Sequence, residues 1–155
     1  MADKSGVSIN WGGFERAVGN AISNLSDTQT LMTKIGVAMK GRTIRRFQKG
    51  VSPEGEVWEP VKNPRKDSKG RPRKGKASPL VDTGRLRNSI SFSATQLDVF
   101  VGSNLVYARI HQLGGQAGRG RKVTIPARPY LGLSEEDQQE IKALVQEHLA
   151  GCFKK

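Results

Sequence analysis

Apolar residues recur at helical spacing in two long stretches of the chain. In the first stretch, which predicts a helix from about residue 26 to residue 50, the apolar positions on one face are Leu31, Ile35, Ala38, Met39 and Phe47. Ser26 and Gln29 have the spacing of a capping box at its start, and Gly50 is a stop signal. The second stretch predicts a helix after the N-cap residue Ser134, with an apolar stripe of Ile141, Leu144, Val145, His148 and Leu149.

Between these helices, apolar and polar residues alternate as they do in half-buried strands. Ile90 and Phe92 alternate with serines and predict one strand, and residues 98–102 predict a second. A hairpin through Thr95 and Gln96 joins them.

The following segment mixes a short helix with turns. Residues 104–113 predict a helix whose Tyr107, Ile110, His111 and Leu113 mostly share one side. A Gly- and Arg-rich loop, residues 116–122, precedes a third predicted strand at residues 123–125.

The N-terminal part has two weaker patterns. Residues 7–11 alternate as a short strand does, and residues 14–25 have helical spacing. We therefore predict an α+β fold in which a small antiparallel β-sheet packs with about three α-helices. The length of 155 residues fits a single domain, residues 1–155.

Positive charge is concentrated in one segment, residues 62–79. Its cations are Lys62, Arg65, Lys66, Lys69, Arg71, Arg73, Lys74 and Lys76, against the single acid Asp67. Three prolines and the absence of large apolar residues predict a flexible basic loop, because such a segment buries too little surface to order itself. A smaller basic group, Arg119, Arg121 and Lys122, lies in the glycine-rich loop.

The whole chain has a formal charge of +12, which favours an anionic partner such as nucleic acid or an acidic protein surface. A membrane partner is disfavoured, because no apolar run approaches the roughly 20 residues that span a bilayer. The polar face of the first long helix is also basic, with Lys34, Lys40, Arg42, Arg45, Arg46 and Lys49. A solvated face and a binding face are equally compatible with that pattern.

Groups that support catalysis or metal binding are scarce in this sequence. The only histidines are His111 and His148, and the only cysteine is Cys152. Gly115 and Gly120 imitate the glycine spacing of a P-loop, but the required Gly-Lys-Ser/Thr is missing. We therefore expect no cofactor, no metal and no enzymatic activity; a small nuclease is the enzymatic alternative.

One string within the basic segment offers a different function. Residues 69–74, Lys-Gly-Arg-Pro-Arg-Lys, resemble an AT-hook, which places an extended Arg-Pro segment in the DNA minor groove. No aromatic residue lies within the run to stack on bases. A DNA-binding protein that uses this segment is the main alternative, and a solvated or protein-facing loop is the plainer interpretation.

Four strings in series resemble the phage virion morphogenesis (tail completion) family of Mu-like and P2-like phages. They are Gly-x-x-Trp-x-Pro at residues 55–60, Leu-Val-Asp-Thr-Gly-Arg-Leu at 80–86, Val-Gly-Ser-Asn followed by Tyr-Ala-x-Ile-His-Gln-x-Gly-Gly at 101–115, and Ile-Pro-Ala-Arg-Pro-Tyr-Leu-Gly-Leu-Ser at 125–134. The resemblance implies a non-enzymatic virion protein of the tail or neck, assembled in the host cytoplasm. Its expected partners are copies of itself in a ring, and the tail tube or head–tail connector.

The residues of these strings are the structural candidates. Trp58 is expected to anchor its segment, and the residues expected to fix the turns are Asp82, Thr83, Gly84, Tyr107, His111, Gly114, Pro126, Arg128 and Pro129. Arg128 is expected to pair with Asp82 or with an acid at the start of the last helix. The basic residues of 62–76, with Arg119, Arg121 and Lys122, are expected either to line a lumen for DNA or to contact an acidic tail or connector surface.

Overall fold

The computed structural model describes residues 7–8, 28–62, 66, 68–70 and 79–152, with side chains excepted at residues 7–8 and 151–152. Its helices are α1 Thr28–Lys49, α2 Arg85–Asn88, α3 Ala108–Leu113 and α4 Glu135–Cys152. Its strands are β1 Val7–Ser8, β2 Ser91–Ala94, β3 Val99–Ser103, β4 Gly115–Ala117 and β5 Val123–Ile125. The α+β fold class predicted from the sequence is confirmed.

The larger of the two described sheets has the strand order β1-β3-β2 and is antiparallel throughout. Phe92 lies opposite Val101 in the register, and Ala94 lies opposite Val99. These apolar pairs share the face on which α1 packs, because side chains two residues apart point to the same side of a strand. The predicted hairpin is confirmed; Thr95 Oγ1 accepts hydrogen bonds from the Leu97 and Asp98 backbone N–H groups.

Helix α1 is the centre of the core. Its buried side chains include Leu31, Ile35, Met39 and Phe47, as the helical spacing predicts. Helix α4 packs along α1 and contributes the fully buried Ile141. Burial of these side chains supplies the main stabilisation of the helix–sheet unit, because each fully buried aliphatic or aromatic residue contributes about 1.5–3 kcal/mol.

Gln29, one member of the predicted capping box, links the start of α1 to the larger sheet. Gln29 Nε2 donates a hydrogen bond to the Ala94 carbonyl, 3.0 Å away at the end of β2, so its side chain joins the helix to the sheet. The proposed partner Ser26 and the predicted helix at residues 14–25 lie outside the described residues.

The third predicted strand is real but belongs to a second sheet. β5 pairs with β4 in an antiparallel hairpin of its own, with Gly115 opposite Ile125. The prediction of a loop at residues 116–117 is wrong, since both residues belong to β4. Gly-Gln-Ala carries no apolar alternation that would indicate a strand. A 3₁₀ turn, Arg119–Arg121, closes the hairpin.

The buried side of α3 also differs from the prediction. The helix begins at Ala108, later than predicted, and buries Ala108 and Gln112, which are one turn apart. Leu113, placed by the prediction on the shared side, is 62% exposed. The polar Gln112 was not counted as a core position, so the face was assigned from the wrong residues.

No helix among the described residues combines the length and apolar character needed to cross a membrane.

Candidate interaction surface

Three of the four sequence strings, at residues 55–60, 101–115 and 125–134, meet at one junction. The Trp58 indole is buried, and its Nε1 donates a hydrogen bond of 2.9 Å to the Pro129 carbonyl. Phe47 packs edge-on against Trp58 and obliquely against Tyr130, with ring centroids 5.6 Å and 4.9 Å apart. The segment around Trp58 is therefore held against α1 and against the extended path after β5.

Arg128 lies in the same junction with partners other than those predicted. Its Nε donates to the Glu59 carbonyl at 2.8 Å, and its Nη2 donates to the Pro60 carbonyl at 3.4 Å. The expected pairing with Asp82 or with an acid at the start of α4 is wrong. Pro126 and Pro129 keep the backbone extended on either side of Arg128. The Arg128 guanidinium therefore reaches the carbonyls of Glu59 and Pro60. Burial lowers the pKa of Arg128, and the nearby Glu59 charge partly opposes that shift.

Gln112 is the residue of the junction that the sequence analysis missed. Its Oε1 accepts hydrogen bonds from the Tyr130 and Leu131 backbone N–H groups, each at 3.0 Å. Its Nε2 donates to the Leu131 carbonyl at 2.9 Å. The Tyr130 hydroxyl donates to the Ala108 carbonyl, and burial raises the pKa of that hydroxyl. The Gln112 amide therefore supplies hydrogen bonds to backbone groups of residues 130–131, which are not part of a sheet. Gln112 lies one helical turn after the buried Ala108, and this spacing was the sequence signal for its burial.

The predicted turn residues of the α3 region surround the same junction. The Arg128 N–H donates to the His111 carbonyl at 2.8 Å, and the His111 ring lies edge-on to Tyr107. Burial lowers the pKa of His111, and the charge of Arg128 lowers it further. Gly114 has a φ of 73°, and a Cβ there would lie 2.9 Å from the Ala127 nitrogen, so only glycine permits this close approach. Pro126 is half-buried directly before this contact.

The turn before α2 lies apart from that junction. Thr83 Oγ1 accepts a hydrogen bond of 3.3 Å from the Arg85 N–H, so Thr83 makes the local contact expected of Asp82 or Thr83. Gly84 adopts a φ of 73° at the helix start, and Asp82 is half-buried in the preceding bend.

The basic face predicted for α1 is partly buried, because Arg42 and Arg46 bind the carboxylate of Asp137. Asp137, 1% exposed, binds Arg42 through Oδ1 and Arg46 through Oδ2. Arg46 also donates to the carbonyls of Tyr130 and Gly132, so it is buried and fully engaged. Burial by itself would raise the pKa of Asp137, but hydrogen bonds from Ser134 and Arg42 and the charge of Arg46 hold it below the usual value.

Asp137 also closes the N-terminus of α4. Its Oδ2 accepts a hydrogen bond from the Ser134 N–H at 2.9 Å, and Ser134 Oγ accepts one from the Asp137 N–H at 3.1 Å. The predicted N-cap is therefore confirmed, with Asp137 completing a reciprocal capping box. A cleft of about 610 Å³ lies beside the cluster, between the end of α1, residues 51–55 and the start of α4.

The β4–β5 hairpin, hereafter the arm (residues 115–125), carries a cationic tip. Arg119, Arg121 and Lys122 are all exposed there. In the long basic segment, Lys62, Lys66 and Lys69 are exposed, whereas Arg65, Arg71, Arg73, Lys74 and Lys76 lie outside the described residues. Of the cations predicted to contact a partner, those that the structure describes therefore form two exposed groups, one on the arm and one in the 62–69 region.

The described residues contain no group of three or more His, Cys, Asp or Glu side chains that could hold a metal ion. The one buried carboxylate described above is neutralised by two arginines and capped by a helix start. The arrangement can organise loops and present charged surfaces, which is the chemistry of a protein that works by contact.

Residues 9–150 match the phage virion morphogenesis family, and the chain belongs to that family. Its role is therefore a structural one in phage assembly, in association with other virion proteins.

The chain is similar to three phage or prophage proteins. It is 39% identical to Mu-like prophage FluMu G protein 2 of Haemophilus influenzae over 118 residues, which cover 76% of this chain and 75% of that protein. It is 26% identical to tail completion protein S of Escherichia phage P2, over 88% of this chain and 95% of that protein. A shorter match, 35% identical over 46% of each chain, is to putative capsid assembly protein G of Escherichia phage Mu. No solved structure matches the chain.

Proposed function

We propose that the protein acts in tail completion or head–tail joining, as a non-enzymatic homo-oligomeric ring at the end of the phage tail. The observation that carries this proposal is the similarity to the P2 tail completion protein, which extends over almost the whole length of both chains. The virion-associated role of the family supports it.

The geometry supports a contact function for one folded unit. Trp58, Arg128 and Gln112 hold the connecting segments against the helix–sheet core, so loops that meet partners are fixed in place. The arm supplies a surface that a neighbouring copy can occupy. In a closed ring, one face of each copy would contact a different face of the next.

The cations of the 62–76 segment, of which Lys62, Lys66 and Lys69 are described and exposed, are proposed to contact the tail or connector, or DNA that passes through the ring. Removal of residues 62–76 should therefore reduce the number of joined particles while leaving the thermal unfolding of the purified chain unchanged. Electron microscopy of particles assembled with the variant measures joining. Normal joining with this deletion would reduce the segment to a solvated insert.

Electron microscopy of the purified protein mixed with tail tubes tests the ring itself. The expected result is a closed ring at tube ends. A chain that leaves tube ends uncapped at concentrations well above those of the tubes would contradict the proposal.

The second candidate function is DNA binding through the AT-hook-like residues 69–74, and the exposure of Lys62, Lys66 and Lys69 favours it. Affinity for a duplex should then fall steeply between 50 and 200 mM salt, because several phosphate contacts release counterions, with a loss on the order of 10³-fold. Absence of such binding in the purified chain would leave only the assembly function.

A further inference from the structure

The arm makes an amphipathic surface that the rest of the described chain does not cover. Gly115 and Ala117 lie opposite Ile125 and Val123, so these four residues share one face, and Gln116 and Thr124 share the other. The apolar face begins beside Ile110, whose side chain lies 3.5 Å from the position of a Cβ at Gly115. Farther along the same face, Val123 is 56% exposed.

The arm is weakly supported by its own chain. Its strands pair with each other, and the connecting turn contacts β4, but no other described element makes an extensive contact with either strand. An isolated two-stranded hairpin is marginally stable in water. A surface that is apolar on one side and open at both strand edges gains stability when another protein segment covers it.

The tip adds charge and backbone strain to this surface. Arg119, Arg121 and Lys122 form no ion pair with any described residue. Arg121 has a φ of 54°, in the left-handed region, where a non-glycine residue costs roughly 1 kcal/mol. Arg121 directly follows Gly120, and Gly118 and Gly120 also have positive φ, so the tip is a tight turn that holds its cations at the end of the arm.

Three acidic side chains at the start of α4 are already paired with cations of the same chain. Glu136, Asp137 and Glu140 at the start of α4 all pair with Arg42, and Asp137 also pairs with Arg46. Ion pairs between the cations of the arm and these acids would therefore have to replace existing ion pairs.

Residues 54–61 form a surface that is both acidic and apolar. Its acids are Glu54, Glu56 and Glu59, of which only Glu59 has an ion pair among the described residues, a solvent-exposed contact of 3.7 Å to Lys62. Between them Val57 is 82% exposed, and Val61 is 44% exposed. Arg128 fixes the backbone of this segment through the Glu59 and Pro60 carbonyls, so the surface is presented in a fixed position.

We propose that the arm of one copy docks on the 54–61 segment of a second copy, with the apolar face of the arm against Val57 and Val61 and the three tip cations against the three glutamates. The inference rests on the proposed self-assembly and names its interface. Charge and apolar character are complementary between the two surfaces, while within one chain no ion pair joins them. Because the two surfaces differ, the contact is heterologous and repeats around a ring.

The experiment uses the full chain at about 0.15 M salt and measures the self-association constant by sedimentation equilibrium. One variant reverses the tip (Arg119→Glu, Arg121→Glu, Lys122→Glu), and another reverses the segment (Glu54→Lys, Glu56→Lys, Glu59→Lys). Each alone should weaken self-association by about tenfold or more, because three attractive contacts become repulsive. A control with the same charge change on exposed cations away from both surfaces (Lys34→Glu, Arg85→Glu, Lys142→Glu) should retain the wild-type constant.

An equimolar mixture of the two reversed variants is the decisive measurement. Each reversed surface then meets a complementary surface on the other variant, so the mixture should recover association to within a few-fold of wild type. Both variants keep a net positive charge, so attraction between whole molecules does not explain recovery. Recovery also shows that both variants are folded.

The other outcomes separate this inference from the proposed function. A wild-type chain that stays monomeric at every concentration overturns self-assembly and the interface together. A wild-type chain that assembles, with reversed variants that assemble equally well or fail to recover in the mixture, overturns the interface alone. Loss of binding to a 30-base-pair DNA duplex on tip reversal, with self-association unchanged, would make the arm a DNA contact and also overturn the inference.

Discussion

The Asp137 carboxylate occupies a position where a charge is costly unless it is paired. It is almost fully buried, and its two oxygens are bound by arginines from α1 and by the Ser134 N–H. Removal of one partner from a buried ion pair leaves an uncompensated charge, which is the expensive event, whereas exposed pairs contribute little. The cluster therefore holds the start of α4 against the end of α1.

Asp137→Asn should lower the free energy of unfolding by about 3 kcal/mol, because Arg42 and Arg46 would lose their shared counter-charge. Urea denaturation of the purified chain measures this. Glu136→Gln is the matched control on the adjacent residue; its carboxylate is mostly exposed, so its loss should cost less than about 1 kcal/mol. Equal losses in the two variants would contradict a special role for the buried carboxylate.

The partly buried His111 imidazole is expected to make the free energy of unfolding depend on pH. Burial, assisted by Arg128, lowers its pKa in the folded state, so the unfolded chain takes up the proton first. Stability should therefore be full above the unfolded pKa of about 6.5 and decrease as pH falls below it, by up to about 1.4 kcal/mol per pH unit. His111→Gln should flatten this slope below about pH 6.5 in urea denaturation. An unchanged slope in the variant would assign the effect to other groups.

At the level of elements, the packing of α1 on the sheet depends on one glycine. A Cβ at Gly36 would lie 2.3 Å from Cδ2 of the Phe92 ring, so the helix approaches β2 as closely as the absence of a side chain allows. Gly41, one and a half turns later on the same helix, has no atom within 4 Å of the corresponding position.

Gly36→Ala should therefore lower the free energy of unfolding by about 1–3 kcal/mol, because the Phe92 ring must leave its packed position. Gly41→Ala should raise stability by about 0.5–1 kcal/mol, since alanine has the higher helix propensity and meets no obstacle. Thermal unfolding followed by circular dichroism compares the two. Stabilisation by both substitutions would show that the Phe92 ring can move away from α1 at little cost in free energy.

The same elements show which parts of the fold were predictable. Helices α1 and α4 and the β2–β3 hairpin have strong periodicity, so their residues indicate their structure without knowledge of their neighbours. β4 is Gly-Gln-Ala and buries little, and α3 buries the polar Gln112, so neither follows an apolar pattern. Both are defined by partners distant in sequence, which a local pattern does not contain.

The candidate sites divide in the same way. The positions of Trp58, Thr83 and Gly114 follow from local strings, because an indole, a hydroxyl and a glycine each have a narrow range of uses in turns. The pairing of Arg46 with Asp137 spans 91 residues, and the sequence offered several cations and acids with no means to match them. For the same reason Arg128 was predicted to pair with an acidic side chain, whereas its partner is the backbone carbonyl of Glu59.

At the scale of the whole molecule, the charge of +12 opposes assembly unless acids and cations are placed on separate faces. Among the described residues, four of the five acids of α4, namely Glu136, Asp137, Glu140 and Glu147, pair with cations of α1. The acids of residues 54–59 lie on the surface together with exposed valines. Salt screens both the overall repulsion and the proposed local attraction, so salt dependence alone does not identify the interface. Substitutions on opposite faces of the arm identify the interface, because only one face is proposed to contact the partner.

Val123→Asp and Thr124→Asp add the same charge to adjacent exposed residues of β5, but on opposite faces. Docking through the apolar face predicts that Val123→Asp weakens self-association several-fold, because a carboxylate must be desolvated against Val57. Thr124→Asp should leave the association constant near that of wild type. Sedimentation equilibrium measures both, and circular dichroism verifies that each variant is folded. Equal weakening would mean that only the charge of the arm matters, and greater weakening by Thr124→Asp would place the partner on the polar face.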